Sequence, residues 1–159
     1  MIKFNVISDT HRISGEVIEK LVPVFNSGSF LVHLWDGTDD LVPFQKKLRC
    51  KIISVCGNCD LFSHNPKDII IDSEAGKILF THGDTHYVKS GDLLNLSLFA
   101  RENDCAYAFF GHTHFADIQF CNGIVCINPG SLSRPRVGFP SYCSVTIENG
   151  KLIPKIVLI

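Results

Sequence analysis

The sequence predicts an α/β (α+β) fold of mixed β-sheets with helices on the outside. Short apolar runs of strand length recur along the whole chain, and two segments carry apolar residues at helical spacing. The two patterns alternate only in the first half. The later half is mostly hairpin-like, which argues against a purely parallel doubly wound sheet.

Residues 2–8 (IKFNVIS) form a short apolar run suited to a buried strand. Residues 14–27 place Val17, Ile18, Leu21, Val24 and Phe25 at helical spacing, with Ser14 as candidate N-cap and Pro23 weakening the far end. Strand-like runs follow at 29–34, 51–56, 68–72, 77–81, 106–110, 116–120 and 124–128, and a short helix is expected over 41–49. Leu93, Leu94, Leu96, Leu98 and Phe99 mark the second clear helix, over 91–103. At the C-terminus SYCSVTI and KLIPKIVLI are joined by Glu148-Asn149-Gly150, a hairpin turn signal.

With 159 residues and no repeat, linker or low-complexity tract, residues 1–159 read as a single domain. A chain of this size buries roughly 70% of its unfolded surface, and a 45% hydrophobic fraction supplies the core. The net charge of −1 gives no electrostatic footprint for nucleic acid or an acidic membrane. An anionic substrate therefore needs local help, most simply from metal ions. The opening MIKFNVISDT lacks a signal-peptide layout, and no apolar run is long enough to span a bilayer. Seven scattered cysteines suit a reducing compartment, so the expected location is cytoplasmic and the thiols are expected to be unpaired. A homo-oligomer is compatible with these features.

The chemistry is concentrated at the ends of the predicted strands. Asp9 and His11 follow the first strand, Asp36 the second, Asn58 the third, His82 the fifth, and His112 and His114 the run AYAFF. Alone, an Asp-x-His or His-x-His in a loop is usually a surface feature, and Gly-Asn is usually a turn. In order, each just after an apolar strand, the set points to a metal site. Seven oxygen and imidazole ligands suit two hard or borderline cations, with a carboxylate available to bridge them. Such a pair can clamp the attacking and leaving oxygens of a displacement at phosphorus.

The series Asp9-x-His11, Asp36, Gly57-Asn58, His82 and Gly111-x-x-His114 resembles the calcineurin-like metallophosphoesterase superfamily. The ending Asn128-Pro129-Gly130-Ser131, then Ser133-Arg134-Pro135-Arg136, is similar to its small YfcE-type branch. The resemblance spans essentially the whole chain. It implies a sandwich of two mixed β-sheets flanked by helices and hydrolysis of a small phosphate ester, a phosphodiester or a phosphomonoester. It also implies that Asp9, His11, Asp36 and His114 hold one metal. Asp36 would bridge to a second, held by Asn58, His82 and His112. Asp36, Asn58, His82 and His112 are also the candidate catalytic residues. Mn²⁺ is the implied activator, although Mg²⁺, Ni²⁺, Fe and Zn²⁺ fit similar ligands. A protein-binding scaffold of the same fold, like the retromer subunit, is the alternative. A full ligand set favours the enzyme.

Three departures from the family pattern matter. Many members place a His after Gly-Asn to protonate the leaving group, whereas this chain has Cys59 and then Asp60. A thiol with an ordinary pKa near ~8.5 is a poor general acid at neutral pH, and His64 and His86 are the nearest replacements by sequence. Trp35 stands where relatives carry Gly, either walling the metal cleft or packing beneath it. Asp84 stands where relatives carry a second His, either adding negative charge near the site or capping a loop. Cys56-Gly57-Asn58-Cys59 has redox-pair spacing but no thioredoxin-like context. Arg134 and Arg136 read either as phosphate-attracting groups or as part of a solvated loop.

Overall fold

A computed structural model describes residues 1–59 and 63–159; Asp60 lies outside the described residues. Ten strands are described: β1 (Ile2–Ile7), β2 (Phe30–His33), β3 (Lys51–Ser54), β4 (Asp68–Ile71), β5 (Lys77–Thr81), β6 (Cys105–Phe109), β7 (Asp117–Cys121), β8 (Ile124–Asn128), β9 (Ser141–Glu148) and β10 (Lys151–Leu158). They form two five-stranded sheets, ordered β10-β9-β1-β2-β3 and β4-β5-β6-β8-β7. Strands β1, β2 and β3 run parallel in the first sheet, and β5, β6 and β8 run parallel in the second. The outer strands β9, β10, β4 and β7 pair antiparallel. Both sheets are therefore mixed, as the alternation pattern predicts.

The sheets pack face to face through alternate residues. Phe4, Val6, Val32 and Leu34 meet Ile78, Phe80, Phe109 and Ile127 between the layers. Phe80 stacks on Phe109 at 5.3 Å between ring centroids, and Phe4 meets each of them edge-on at 6.2 Å. Each such buried phenyl contributes about 1.5–3 kcal/mol. The opposite face of β1 and β2 presents Ile7 and Leu31 to helix α1 (Gly15–Asn26), which answers with Ile18, Leu21 and Phe25. On the far side, Leu79, Ala108 and Cys126 are covered by Leu96 and Ala100 of helix α2 (Leu94–Glu102). Strands buried on both faces read as continuous apolar runs, which is why AYAFF lacks alternation.

The element ends follow from local chemistry. The Ser14 hydroxyl accepts the N–H of Glu16, and Pro23 sits in the last turn of α1, where Ser27 N–H returns to its carbonyl. Helix α2 starts three residues later than its apolar spacing predicts. Gly91 takes a left-handed φ of 80° and breaks the helix there, and Asp92 Oδ1 then caps Leu94 N–H at 2.9 Å. The helix expected over 41–49 is instead a 3₁₀ segment, Thr38–Phe44, with Pro43 inside it. Proline has no N–H to donate, which favours this short form over a regular α-helix. Asn149 and Gly150 both have positive φ, 53° and 71°, as the two-residue β9–β10 hairpin requires. Cys50, Cys56, Cys105, Cys121, Cys126 and Cys143 are free thiols. Among the described residues, no helix is long and apolar enough to cross a membrane.

Candidate metal centre

The loops that leave β1, β2 and β3 meet those that leave β5 and β6. Asp9 N–H donates to Trp35 O at 2.6 Å and His11 N–H to Asp36 O at 3.1 Å, joining the first two loops. His112 N–H donates across the sandwich to Asp9 Oδ2 at 3.0 Å, and Gly111 N–H donates to His82 O at 3.0 Å. These contacts assemble the sequence-predicted residues at the carboxyl ends of both parallel strand sets, where sheet scaffolds place sites.

All seven candidate ligands arrive at this place. Asp9, His11 and His114 bring one ligand atom each within 4.8 Å of one another, and Asp36, His82 and His112 do the same. Asn58 joins the second group through its Oδ1, 3.2 Å from His82 Nε2. His82 Nε2 also lies 3.1 Å from His112 Nδ1 and 3.3 Å from Asp36 Oδ2. In the first group the Nε2 atoms of His11 and His114 stand 3.1 Å apart.

The side chains are oriented from behind. Ser8 Oγ donates to Asp9 Oδ2 at 2.6 Å, and that oxygen also takes the His112 N–H. Its twin, Asp9 Oδ1, is buried and receives no hydrogen bond; it faces His114 Nε2 at 3.3 Å and His11 Nε2 at 3.8 Å. Nδ1 of His82 lies 2.8 Å from Leu34 O, and Nδ1 of His114 lies 2.8 Å from Arg134 O. A carbonyl only accepts, so each Nδ1 carries the proton and each Nε2 turns a lone pair inward. In the first group the His114 lone pair thus meets the orphaned Asp9 oxygen, and in the second the His82 lone pair meets the Asn58 carbonyl oxygen, with no donor between either pair. That arrangement fits a cation, and its mixed oxygen and nitrogen donors fit a divalent one.

The electrostatics agree. Burial works against charge on the Asp36 carboxyl, but His82 and the Cys59 N–H, 3.1 Å from Oδ1, hold it well below the usual carboxylate range. Burial also opposes charge on His82, yet Asp36 and Asp9 raise its proton affinity above the ordinary value. The Asp9 carboxylate raises that of His114 despite desolvation. Burial and the neighbouring His82 lower His112. The same negative field that draws protons to His82 and His114 draws cations.

The backbone here is strained. Asp9, His11, Asp36, His112 and His114 all have positive φ, between 36° and 64°, as does Trp35 at 80°. Left-handed non-glycine residues cost of order 1–3 kcal/mol each and cluster at functional sites. Two glycines serve by absence of bulk: a Cβ on Gly57 would lie 2.1 Å from Asp36 Oδ1, and one on Gly111 would lie 1.9 Å from Ser8 Oγ. Glycine is thus required where the chain passes each carboxylate.

The open alternatives resolve as follows. Trp35 is buried and packs beneath the site, edge-on to His33 at 5.1 Å, rather than walling the cleft. Asp84 ion-pairs with Lys67 at 3.3 Å. Arg134 and Arg136 line the metal cleft together with Lys89 and Cys59. His86 points elsewhere, with its Nε2 2.8 Å from Asp68 Oδ1 and its ring against Phe99. Neither His86 nor the exposed His64 lines the cleft. Cys56 is buried and Cys59 exposed.

Sequence reasoning missed several supporting residues. Lys67 bonds Gly57 O as well as Asp84, linking two ligand loops. Asn128 Nδ2 donates to Gly111 O and Thr113 Oγ1, each at 2.9 Å, holding the His112–His114 turn. His33 accepts the Trp35 N–H at Nδ1 and so offers its Nε2 proton to Thr10 Oγ1. Burial pushes its pKa down to about 4. For His33 in SFLVHL and Ser8 in IKFNVIS the signal was a polar residue inside an apolar run, whereas Asn128 stood in the Asn128-Pro129-Gly130-Ser131 motif without its role being read.

Residues 2–150 match the family model described as the calcineurin-like phosphoesterase superfamily domain. A "Probable metallophosphoesterase" of Methanocaldococcus jannaschii is 33% identical over 154 residues, covering 94% of this chain and 79% of the relative. One of Bacillus subtilis is 38% identical over 145 residues, covering 91% and 83%. A Streptococcus pneumoniae protein described as a predicted phosphoesterase shares the fold, with a TM-score of 0.80 at 24% identity over 99% of this chain and 89% of the other.

Proposed function

Since this chain belongs to the calcineurin-like phosphoesterase superfamily, we propose that it is a phosphodiesterase working with two divalent cations, Mn²⁺ by preference. Asp9, His11 and His114 would hold one, Asn58, His82 and His112 the other, and Asp36 would bridge them. The observation that carries this reading is Asp9 Oδ1, a buried carboxylate oxygen without a donor, facing two imidazole nitrogens. When bound, such a metal pair supplies a water of lowered pKa and a clamp for the phosphoryl oxygens.

The chain's own residues do the rest. Lys89, Arg134 and Arg136 line the cleft and give it the positive charge that the molecule as a whole lacks. Asn58 and His112 are held against His82 on the second-metal side, where Asp36 stays ionised. Cys59 occupies the rim where a general acid would serve, so the enzyme relies on leaving groups that depart without a proton. Residues 1–159 would act as one domain, and the free thiols of Cys50, Cys56, Cys105, Cys121, Cys126 and Cys143 accord with a cytoplasmic location.

The test is metal depletion. Chelator-stripped protein should lose hydrolysis of bis(4-nitrophenyl) phosphate and regain it with Mn²⁺. Undiminished turnover by verified metal-free protein would contradict the mechanism. No turnover with any divalent metal would favour a binding scaffold instead.

A further inference from the structure

A second pocket adjoins the metal cleft. Thr113 lies between His112 and His114; its neighbours line the cleft, while it lines this pocket. Its Oγ1 is pinned by Asn128 Nδ2, so the partition between the two spaces is a fixed turn of backbone. Lys89 and Arg136 border both spaces, which makes the two adjacent.

The pocket has a polarity the metal cleft lacks. Leu93 and Phe110 are buried and give it an apolar floor. Phe115, directly after the candidate ligand His114, lines it with 42% of its surface exposed. Asp117 and Gln119, successive same-face residues of β7, form a polar far edge and hydrogen-bond each other. An exposed phenyl and buried apolar side chains in one pocket with a few polar groups are a lining that suits a flat ring.

We propose that this pocket is the subsite for the organic group of the substrate, and that it selects esters carrying a flat aromatic ring. The inference rests on the phosphoesterase reading, since a phosphoryl group at the metals is what delivers the ring. Phosphorus would sit among the ligand histidines, and the ester oxygen would lead past Arg136 and Lys89 onto Phe115. Small alkyl esters would fill the cleft and leave the pocket empty. Ring stacking on an aromatic side chain is worth about 1–3 kcal/mol, or about 5- to 150-fold in affinity.

The probes are phenylphosphonate and methylphosphonate, which share the anionic head and differ in the ring. Calorimetry on Mn²⁺-loaded protein should show phenylphosphonate binding about fivefold tighter or more. In Phe115→Ala that preference should fall towards unity, with methylphosphonate affinity unchanged. Equal binding of both probes by the unmutated protein overturns the subsite, as does an undiminished preference in the variant. An equal loss for both probes would assign Phe115 to the ligand loop instead, and also overturns it. If neither probe binds, the metal-phosphoryl reading falls and the subsite with it. Turnover of bis(4-nitrophenyl) phosphate separates the two ideas: ring preference without turnover refutes the hydrolase and leaves a ring-binding pocket that is no substrate subsite, whereas turnover without ring preference refutes the subsite alone.

Discussion

Gly111→Ala is the substitution whose cost can be worked most directly from distances. The new methyl carbon would lie 1.9 Å from Ser8 Oγ, 2.8 Å from Asp9 Oδ2 and 3.0 Å from Ser8 Cβ. Rotating the serine hydroxyl away removes the first clash but not the other two, and it forfeits the 2.6 Å hydrogen bond to Asp9. Overpacking of this kind costs about 1–3 kcal/mol. The lost bond to a buried carboxylate adds about 1.5–3 kcal/mol. The lower unfolded-chain entropy of alanine returns about 0.4–1 kcal/mol. The net expectation is a loss of about 2–5 kcal/mol, or roughly 5–15 °C in Tm for a chain of this length. The assay is urea unfolding of metal-free protein, with Gly123→Ala as control, because nothing lies within 4 Å of a Cβ there and only its φ of 85° opposes the change. The double variant with Ser8→Ala should lose less than the sum of the single losses, since the two changes share one contact. A Gly111→Ala protein within about 0.5 kcal/mol of the unmutated one would refute the close-approach account.

Two further outcomes are expected. His33 is neutral when folded, with its pKa pushed from the ordinary 6.5 down to about 4, so between those values the unfolded chain binds the extra proton. Stability should therefore fall as pH drops from 6.5 to 4, by up to about 3 kcal/mol more than in His33→Gln; equal pH slopes in denaturant titrations would contradict this. Cys59→His should speed hydrolysis of esters with poor leaving groups selectively, up to a ceiling of about 10²–10⁴-fold, flattening the plot of log rate against leaving-group pKa. His86→Gln should leave that plot unchanged while lowering stability through the Asp68 pair; a steeper plot would make His86 the missing acid.

The candidate ligand set was legible because each member follows an apolar run, and periodicity places runs well. The backbone that aims the ligands was not. Left-handed φ is signalled by Gly or Asn, yet here it falls on Asp9, His11, Asp36, His112 and His114, with glycine only nearby. That strain is fixed by bonds between loops far apart in sequence, such as His112 N–H to Asp9 Oδ2, which no local pattern encodes. The strand runs predict the sheets, but strand order depends on non-local pairing: β1 lies between β2 and β9, its partner from the far end of the chain. Trp35 shows the opposite case. Its departure from the family's glycine is visible in sequence, and its φ of 80° supplies the reason glycine is usual there.

The central claim is that two cations are held by two ligand groups joined through Asp36. The most direct measurement is Mn²⁺ bound per chain at saturation, by equilibrium dialysis, for the unmutated protein and Asp36→Asn, with turnover of bis(4-nitrophenyl) phosphate followed in parallel. The account predicts two ions per chain in the first, weakened binding at both sites together in the second, and turnover lost with them. Two tightly held ions and an unchanged rate in Asp36→Asn would contradict it.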